Sequence, residues 1–136
     1  MPKVEELLQK MRIKHDALGQ RLAMVPENRM GTLGAWGEQQ MPIRSMFYRF
    51  ISHEVEHTIQ AAKTLRDLGI VPDEARLILG LLHEAQGKLE GLLVAVTDDE
   101  FDQTPQGEWS LREVLEHIIA VEDIYSGRIE QALAAH

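Results

Sequence analysis

The sequence predicts an all-α protein, built as an antiparallel four-helix bundle. Four long stretches repeat their apolar residues at three- and four-residue spacing, and none of them alternates with the two-residue period of a strand. Apolar residues make up 44% of the 136 and charged residues 26%, which is enough for one packed core. We therefore expect residues 1–136 to form a single domain in which each helix buries one apolar stripe against the other three.

The first two helices are separated by a long connector. The spacing predicts the first helix over about residues 3–24, with His15 in an otherwise apolar stripe. Residues 25–41 are rich in glycine and are flanked by prolines, which is typical of a connector. The second helix is expected over about residues 42–68, and Gly69 is expected to end it in the left-handed conformation.

A short turn at residues 69–73 leads to the third helix, which is predicted over about residues 73–96. The fourth helix has the clearest start in the chain, because Ser110 and Glu113 have the spacing of a capping box. In that arrangement each side chain accepts a hydrogen bond from the backbone N–H of the other residue.

Composition excludes several classes of function. The net charge of −8 opposes binding to nucleic acid, whose phosphates are also negative. The chain has no cysteine, which excludes disulfides, thiolate metal sites and cysteine nucleophiles. No apolar run approaches the roughly 20 residues that span a bilayer, and the N-terminus does not resemble an export signal. We expect a soluble, cytoplasmic protein without a membrane partner.

Histidines are the residues most suited to chemistry. His53 and His57 lie one helical turn apart on the apolar stripe of the second helix, close enough to bind one ion together. His117 lies on the apolar side of the fourth helix. Three imidazoles around an ion with one open position are typical of catalytic zinc sites. The alternative is three separately hydrogen-bonded histidines, each of which carries its own burial cost.

The other histidines fit simpler roles. His15 is best interpreted as a hydrogen-bonded core residue, with a fourth ligand or a pocket acid or base as the alternatives. His83 lies among polar residues and is expected at the surface, and the terminal His136 is expected to be mobile. Two arginines, Arg44 and Arg112, are suited to bind a substrate carboxylate, although surface ion pairs are the simpler interpretation.

Two segments resemble the DinB/YfiT-like superfamily. Residues 109–118 read WSLREVLEHI and resemble the family helix that carries Trp-Ser-x-x-Glu-x-x-x-His. Residues 49–60 read RFISHEVEHTIQ and are similar to the family's other histidine helix, with His-x-x-x-His followed by Gln. The stretch from Asp98 through Pro105 also resembles the family's lead-in to the first of these helices.

The resemblance implies a four-helix bundle that holds a divalent metal, most often zinc or nickel, with His53, His57 and His117 as ligands. Similar proteins include transferases and isomerases that use low-molecular-weight thiols, and others described only as metal-dependent hydrolases. A small-molecule substrate, a thiol cosubstrate and a homodimer are therefore what the resemblance implies here.

The order of the two similar segments departs from the family pattern. In the family the Trp-Ser helix precedes the His-x-x-x-His helix, whereas here residues 109–117 follow residues 53–57. Two arrangements rebuild the same bundle: a circular permutation, with residues 69–73 joining the usual ends, or an exchange of helical hairpins between two chains.

Two kinds of reaction follow from a metal held in this way: attack of an activated water on an ester, amide or halide, or attack of an activated thiol on an electrophile. The sequence predicts a DinB-like metalloprotein that is a thiol-dependent transferase or a metal-dependent hydrolase. The alternatives are a non-catalytic helical bundle that acts as a dimerising or regulatory module, and a metal-binding sensor without turnover.

Overall fold

A computed structural model describes residues 2–135, so the expectation for His136 lies outside the described residues. The chain divides into two compact units, Met1–Ala95 and Val96–His136. The single domain expected over residues 1–136 stays a prediction.

The first unit contains three long helices and a small sheet. Its elements are helix α1 (Lys3–Leu22), a 3₁₀ turn (Glu27–Arg29), strands β1 (Leu33–Trp36) and β2 (Gln39–Pro42), and helices α2 (Ile43–Asp67) and α3 (Glu74–Leu92). The second unit contains a short helix α4 (Asp98–Asp102) and the long helix α5 (Leu111–Ala135). The predicted helical fold class and its four long helices are confirmed.

The junction between α2 and α3 follows the sequence closely. Gly69 has a φ of 70°, as expected of a residue that ends a helix in the left-handed conformation. The backbone N–H of Ile70 then donates to the carbonyl of Leu65 at 2.9 Å, which satisfies one of the free carbonyls at the end of α2. Asp73 caps the next helix, because its side chain accepts a hydrogen bond from the N–H of Arg76 at 2.9 Å.

The connector at residues 25–41 holds an antiparallel hairpin that the helical analysis did not predict. Leu33 pairs with Pro42 and Trp36 pairs with Gln39. Gly37 opens the two-residue turn with a φ of 65°, a conformation that glycine adopts without a steric penalty. Each strand has only four residues, which is too short for a clear period-two pattern in the sequence.

The hairpin holds the start of α2 in place. Strand β2 runs directly into α2, and the N–H groups of Ile43 and Arg44 donate to the carbonyls of Thr32 and Met30 at 2.9 and 2.8 Å. The Met46 methyl carbon lies 3.1 Å from the position that a Cβ on Gly34 would occupy. The hairpin therefore satisfies N–H groups in the first turn of α2 that have no partner within the helix.

The second unit is organised by two capping boxes and an ion pair. Thr97 and Glu100 form the box at the start of α4, and Ser110 and Glu113 form the predicted box at the start of α5. The guanidinium of Arg112 pairs with the carboxylate of Asp102, with Nη2 and Oδ2 3.2 Å apart, and it also lies 5.0 Å from the centre of the Phe101 ring. This ion pair connects α4 to α5. Arg112 therefore has the role of a surface ion-pair partner, which was the simpler interpretation of the sequence.

Apolar faces remain open within each unit. Among residues 2–135 no apolar side chain is fully buried, and the buried polar residue is Ser110, at 5% exposure. Apolar side chains are exposed on every long helix, for example Ile13, Ile59, Leu81 and Ile129. The packing of four stripes into one bundle core stays a prediction. No helix within residues 2–135 is both long and apolar enough to cross a membrane.

Candidate metal centre

His53 and His57 form an adjacent pair on one face of α2. Their ring centroids are 4.4 Å apart and the ring planes meet at 72°, in an edge-to-face arrangement. The spacing of four residues on a helix produces this proximity, because such residues lie one above the other. Both side chains are exposed, so an ion from solvent has access to them.

Gln60 fixes the orientation of the second imidazole. The His57 Nδ1 atom lies 2.7 Å from the Oε1 atom of Gln60. An amide oxygen only accepts hydrogen bonds, so Nδ1 donates to it, and in the neutral form of the ring Nε2 is the nitrogen that can bind a metal ion. Metal-binding histidines commonly donate their other N–H to such a partner. The pair therefore fits a divalent ion: two imidazoles lie one turn apart, and one of them is already oriented by a hydrogen bond.

His117 lies on α5 in the second unit, beside Trp109. The two ring centroids are 4.9 Å apart, with an interplanar angle of 67°. The Ser110 capping box starts α5 between these two residues and fixes the first turn of the helix. Trp109, which follows a loop and precedes this cap, is 54% exposed and contacts the histidine with its ring.

The three predicted ligands are thus distributed over two separately described units. Within the described residues of either unit, no three histidine, aspartate or glutamate side chains group around a common point. The pair His53–His57 is formed in the first unit, and His117 is presented in the second. The complete set of three ligands stays a prediction.

His15 does not occupy a packed core position in the first unit. Its side chain is 53% exposed, and its Nε2 atom lies 3.8 Å from the Oε2 atom of Glu54 on α2. The expectation of a hydrogen-bonded core position for His15 in the assembled bundle stays a prediction. His83 is exposed, as expected.

A cavity of about 670 Å³ lies next to the histidine pair, between α1, the hairpin and the first half of α2. Its lining is mainly apolar, but it also includes Arg21, Arg49, Ser52, His53 and Glu56. A volume of this size is in the range that holds small-molecule ligands, roughly 300–1,000 Å³. Sequence analysis did not identify Arg21 and Arg49 as site residues. The spacing of Arg49 one turn before His53 is the signal that could have found one of them.

Comparison with known proteins finds a family similarity in the C-terminal part of the chain. Residues 81–135 match the family model described as the DinB superfamily. This part of the chain is therefore similar to the DinB superfamily. No curated protein and no solved structure matches the chain.

The DinB match covers less than half of the chain and contains one of the two similar segments. It begins in α3 and continues through α4 and α5, so it includes Trp109, Ser110 and His117. The resemblance proposed from these residues is confirmed. Helix α2, with His53 and His57, lies outside the matched range. The exchanged order of the two histidine helices stays a prediction.

Proposed function

We propose that this DinB-superfamily chain is a metalloenzyme that binds one divalent ion, zinc or nickel, through His53, His57 and His117. The observation that carries the proposal is the imidazole pair on α2, with centroids 4.4 Å apart and His57 oriented by Gln60. The third donor is supported by the family match, which contains His117. Three neutral nitrogen donors leave an open coordination position, as catalytic sites require.

The proposed reaction is either hydrolysis of a small molecule or transfer of a low-molecular-weight thiol to it. A divalent ion bound to three imidazoles supplies a positive charge that lowers the pKa of water or of a thiol. The chain's own residues would bind and orient the reacting groups. The apolar cavity would hold the substrate beside His53, and Gln60 would keep the His57 ring in one orientation. A cytoplasmic location stays a prediction.

Metal content is the direct test of the proposal. Untagged protein is expected to contain about one zinc or nickel ion per chain by elemental mass spectrometry. His53→Ala, His57→Ala and His117→Ala should each lower that content strongly, whereas His83→Ala on α3 is the matched control and should not. A chain that neither retains metal nor gains thermal stability on addition of zinc or nickel would contradict the proposal.

We also propose that the DinB chain works as a homodimer. Its support is the apolar surface that each unit leaves open on α1, α2, α3 and α5, which is available for burial in an interface. The same surface favours the second candidate function, a non-catalytic bundle that dimerises or regulates a partner. Turnover with a thiol cosubstrate would separate an enzyme from this module and from a metal sensor without turnover.

Mixing two defective chains distinguishes a swapped dimer from a permuted monomer. One chain carries His53→Ala and His57→Ala, and the other carries His117→Ala. If two chains exchange hairpins, co-refolding the variants restores one complete site in each mixed dimer, and metal binding returns to about a quarter of the wild-type sites. In a permuted bundle closed within one chain, mixing restores nothing. Neither variant alone should bind at wild-type strength.

A further inference from the structure

We propose that the cavity between α1 and α2 is a binding site for an apolar monocarboxylate, which Arg21 and Arg49 hold by its charge. The inference names the substrate class of the proposed metalloenzyme and therefore rests on that function. It is carried by three properties of the first unit: the cavity volume of about 670 Å³, its mainly apolar lining, and two arginines that form no ion pair within residues 2–135.

The apolar part of the cavity is built from α1 and α2 together. Leu18 and Leu22 contribute from α1, and Ile43, Met46 and Phe47 contribute from the first turns of α2. These side chains are half-buried, whereas most apolar side chains on the remainder of the long helices are exposed. A hydrocarbon chain or an aromatic ring bound here would remove from water both its own apolar surface and that of the cavity wall.

The two arginines supply the charge that selects an anion. Within residues 2–135 neither Arg21 nor Arg49 forms an ion pair, whereas Arg12 and Arg112 each pair with an acidic residue. Both Arg21 and Arg49 line the cavity, and a guanidinium can hold a carboxylate through two parallel hydrogen bonds.

The polar side chains that α2 contributes to the cavity follow one another along that helix. Arg49 lies one turn before His53, and Glu56 lies almost one turn after it. A carboxylate bound at Arg49 would therefore lie near the proposed metal-binding pair. Glu56 would repel the same carboxylate at the far end of this row, which restricts the anion to the arginine side of His53.

A small anion explains this lining better than an apolar helix from a second chain. A helix that covered the cavity with leucines would bury Arg21 and Arg49 without acidic partners, and burying an unpaired charge is costly. A monocarboxylate with an apolar tail complements both parts of the lining at once.

Calorimetric titration of the full chain, stripped of metal by EDTA, tests the assignment with octanoate and its neutral counterpart octanamide. Without metal, direct coordination of the carboxylate cannot contribute. We expect octanoate to bind at one site per chain and octanamide to bind about 25-fold more weakly, because octanamide loses two exposed ion pairs of ~1 kcal/mol each. Arg21→Met and Arg49→Met each remove one of these pairs, so each should weaken octanoate binding by about fivefold and leave octanamide binding unchanged.

Matched variants separate a specific site from general effects. Arg44→Met removes the same charge from α2 at a residue that does not line the cavity, and it should leave octanoate binding unchanged. Arg21→Lys and Arg49→Lys keep the charge and should restore part of the affinity. Circular dichroism of each variant establishes that its helix content equals that of the wild type.

Three results would overturn the assignment. They are equal binding of octanoate and octanamide, binding of many octanoate molecules per chain regardless of Arg21 and Arg49, and octanoate uptake that accompanies dissociation of a dimer in sedimentation experiments. The last would identify the cavity as an interface between copies. His57→Ala keeps the two proposals distinguishable, since His57 does not line the cavity. In His57→Ala, loss of metal binding with octanoate binding intact is the result that both proposals expect. Wild-type protein that binds octanoate through Arg21 and Arg49 but binds no metal contradicts the metalloenzyme alone, and wild-type protein that binds metal but not octanoate contradicts the carboxylate site alone.

Discussion

The His57 Nδ1 atom lies 2.7 Å from the Gln60 Oε1 atom, one turn further along the same helix. This hydrogen bond engages Nδ1, so Nε2 is the His57 nitrogen that would bind a metal ion. Gln60 is thus a positioning residue, which acts on the proposed metal site through His57 without touching the ion.

Replacing Gln60 should weaken metal binding although Gln60 is not a ligand. We expect Gln60→Leu to lower zinc affinity by roughly 10- to 100-fold, the usual effect of removing the partner of a metal-binding histidine. Gln60→Glu keeps an oxygen acceptor and should retain most of the affinity. Competition titration against a zinc chelator measures both, and wild-type affinity in Gln60→Leu would contradict this role.

The capping box of α5 makes a stability prediction. Ser110 is 5% exposed, and its hydroxyl accepts a hydrogen bond from the N–H of Glu113 at 3.1 Å. Ser110→Ala leaves that N–H without a partner and should lower the free energy of unfolding by about 1 kcal/mol. Ser126→Ala, at an exposed hydroxyl later in α5, is the control and should change it by less than about 0.5 kcal/mol. Urea unfolding followed by circular dichroism compares the two, and equal losses would contradict the cap.

The ion pair between Asp102 and Arg112 makes a prediction about pH. The hydrogen bond from the Arg112 guanidinium, aided by its charge, lowers the pKa of the Asp102 carboxyl below its usual value. Because the pKa is lower in the folded chain, the pair stabilises the fold above the ordinary aspartate pKa. That stabilisation is lost as pH falls through the lowered value.

Arg112→Met should return the pKa of Asp102 towards its usual value. NMR titration of the Asp102 side-chain carboxyl carbon measures the shift directly. Arg128→Met removes a charge from the same helix without touching Asp102 and serves as the control. An unchanged pKa in Arg112→Met would show that the two side chains do not pair in solution.

The features of the fold that were predicted from the sequence are those set by residues within about one helical turn of each other. Ser110 and Glu113 are three residues apart, and Gly69 ends α2 through its own φ of 70°. Such features depend on local hydrogen bonds and steric limits, so the residue types alone indicate them. Thr97 and Glu100 have the same capping-box spacing at the start of α4, so this short helix could have been predicted from the sequence in the same way.

The hairpin escaped prediction although it is local, because Trp36 pairs with Gln39 and Leu33 with Pro42 in strands of four residues, which are too short to show a clear period. The cavity depends instead on contacts between distant residues, which no short pattern encodes. Arg21 and Arg49 come from different helices and share a cavity only after folding. The adjacency of His53 and His57 was predictable because both lie on one helix, whereas their relation to His117 requires tertiary packing.

Trp109 gives an optical signal for the third ligand, because its ring lies 4.9 Å from that of His117. The chain has two tryptophans, so Trp36→Phe leaves Trp109 as the sole emitter. Ni²⁺ is paramagnetic and quenches a nearby indole, and its binding at His117 should therefore reduce the emission of this variant by at least about half. Adding His117→Ala should abolish the quenching. Adding His53→Ala and His57→Ala should abolish it as well, since a single exposed imidazole binds nickel weakly and the proposed ion needs all three donors. Quenching that survives loss of the α2 pair would show that His117 binds metal independently of His53 and His57, and the shared site would be wrong.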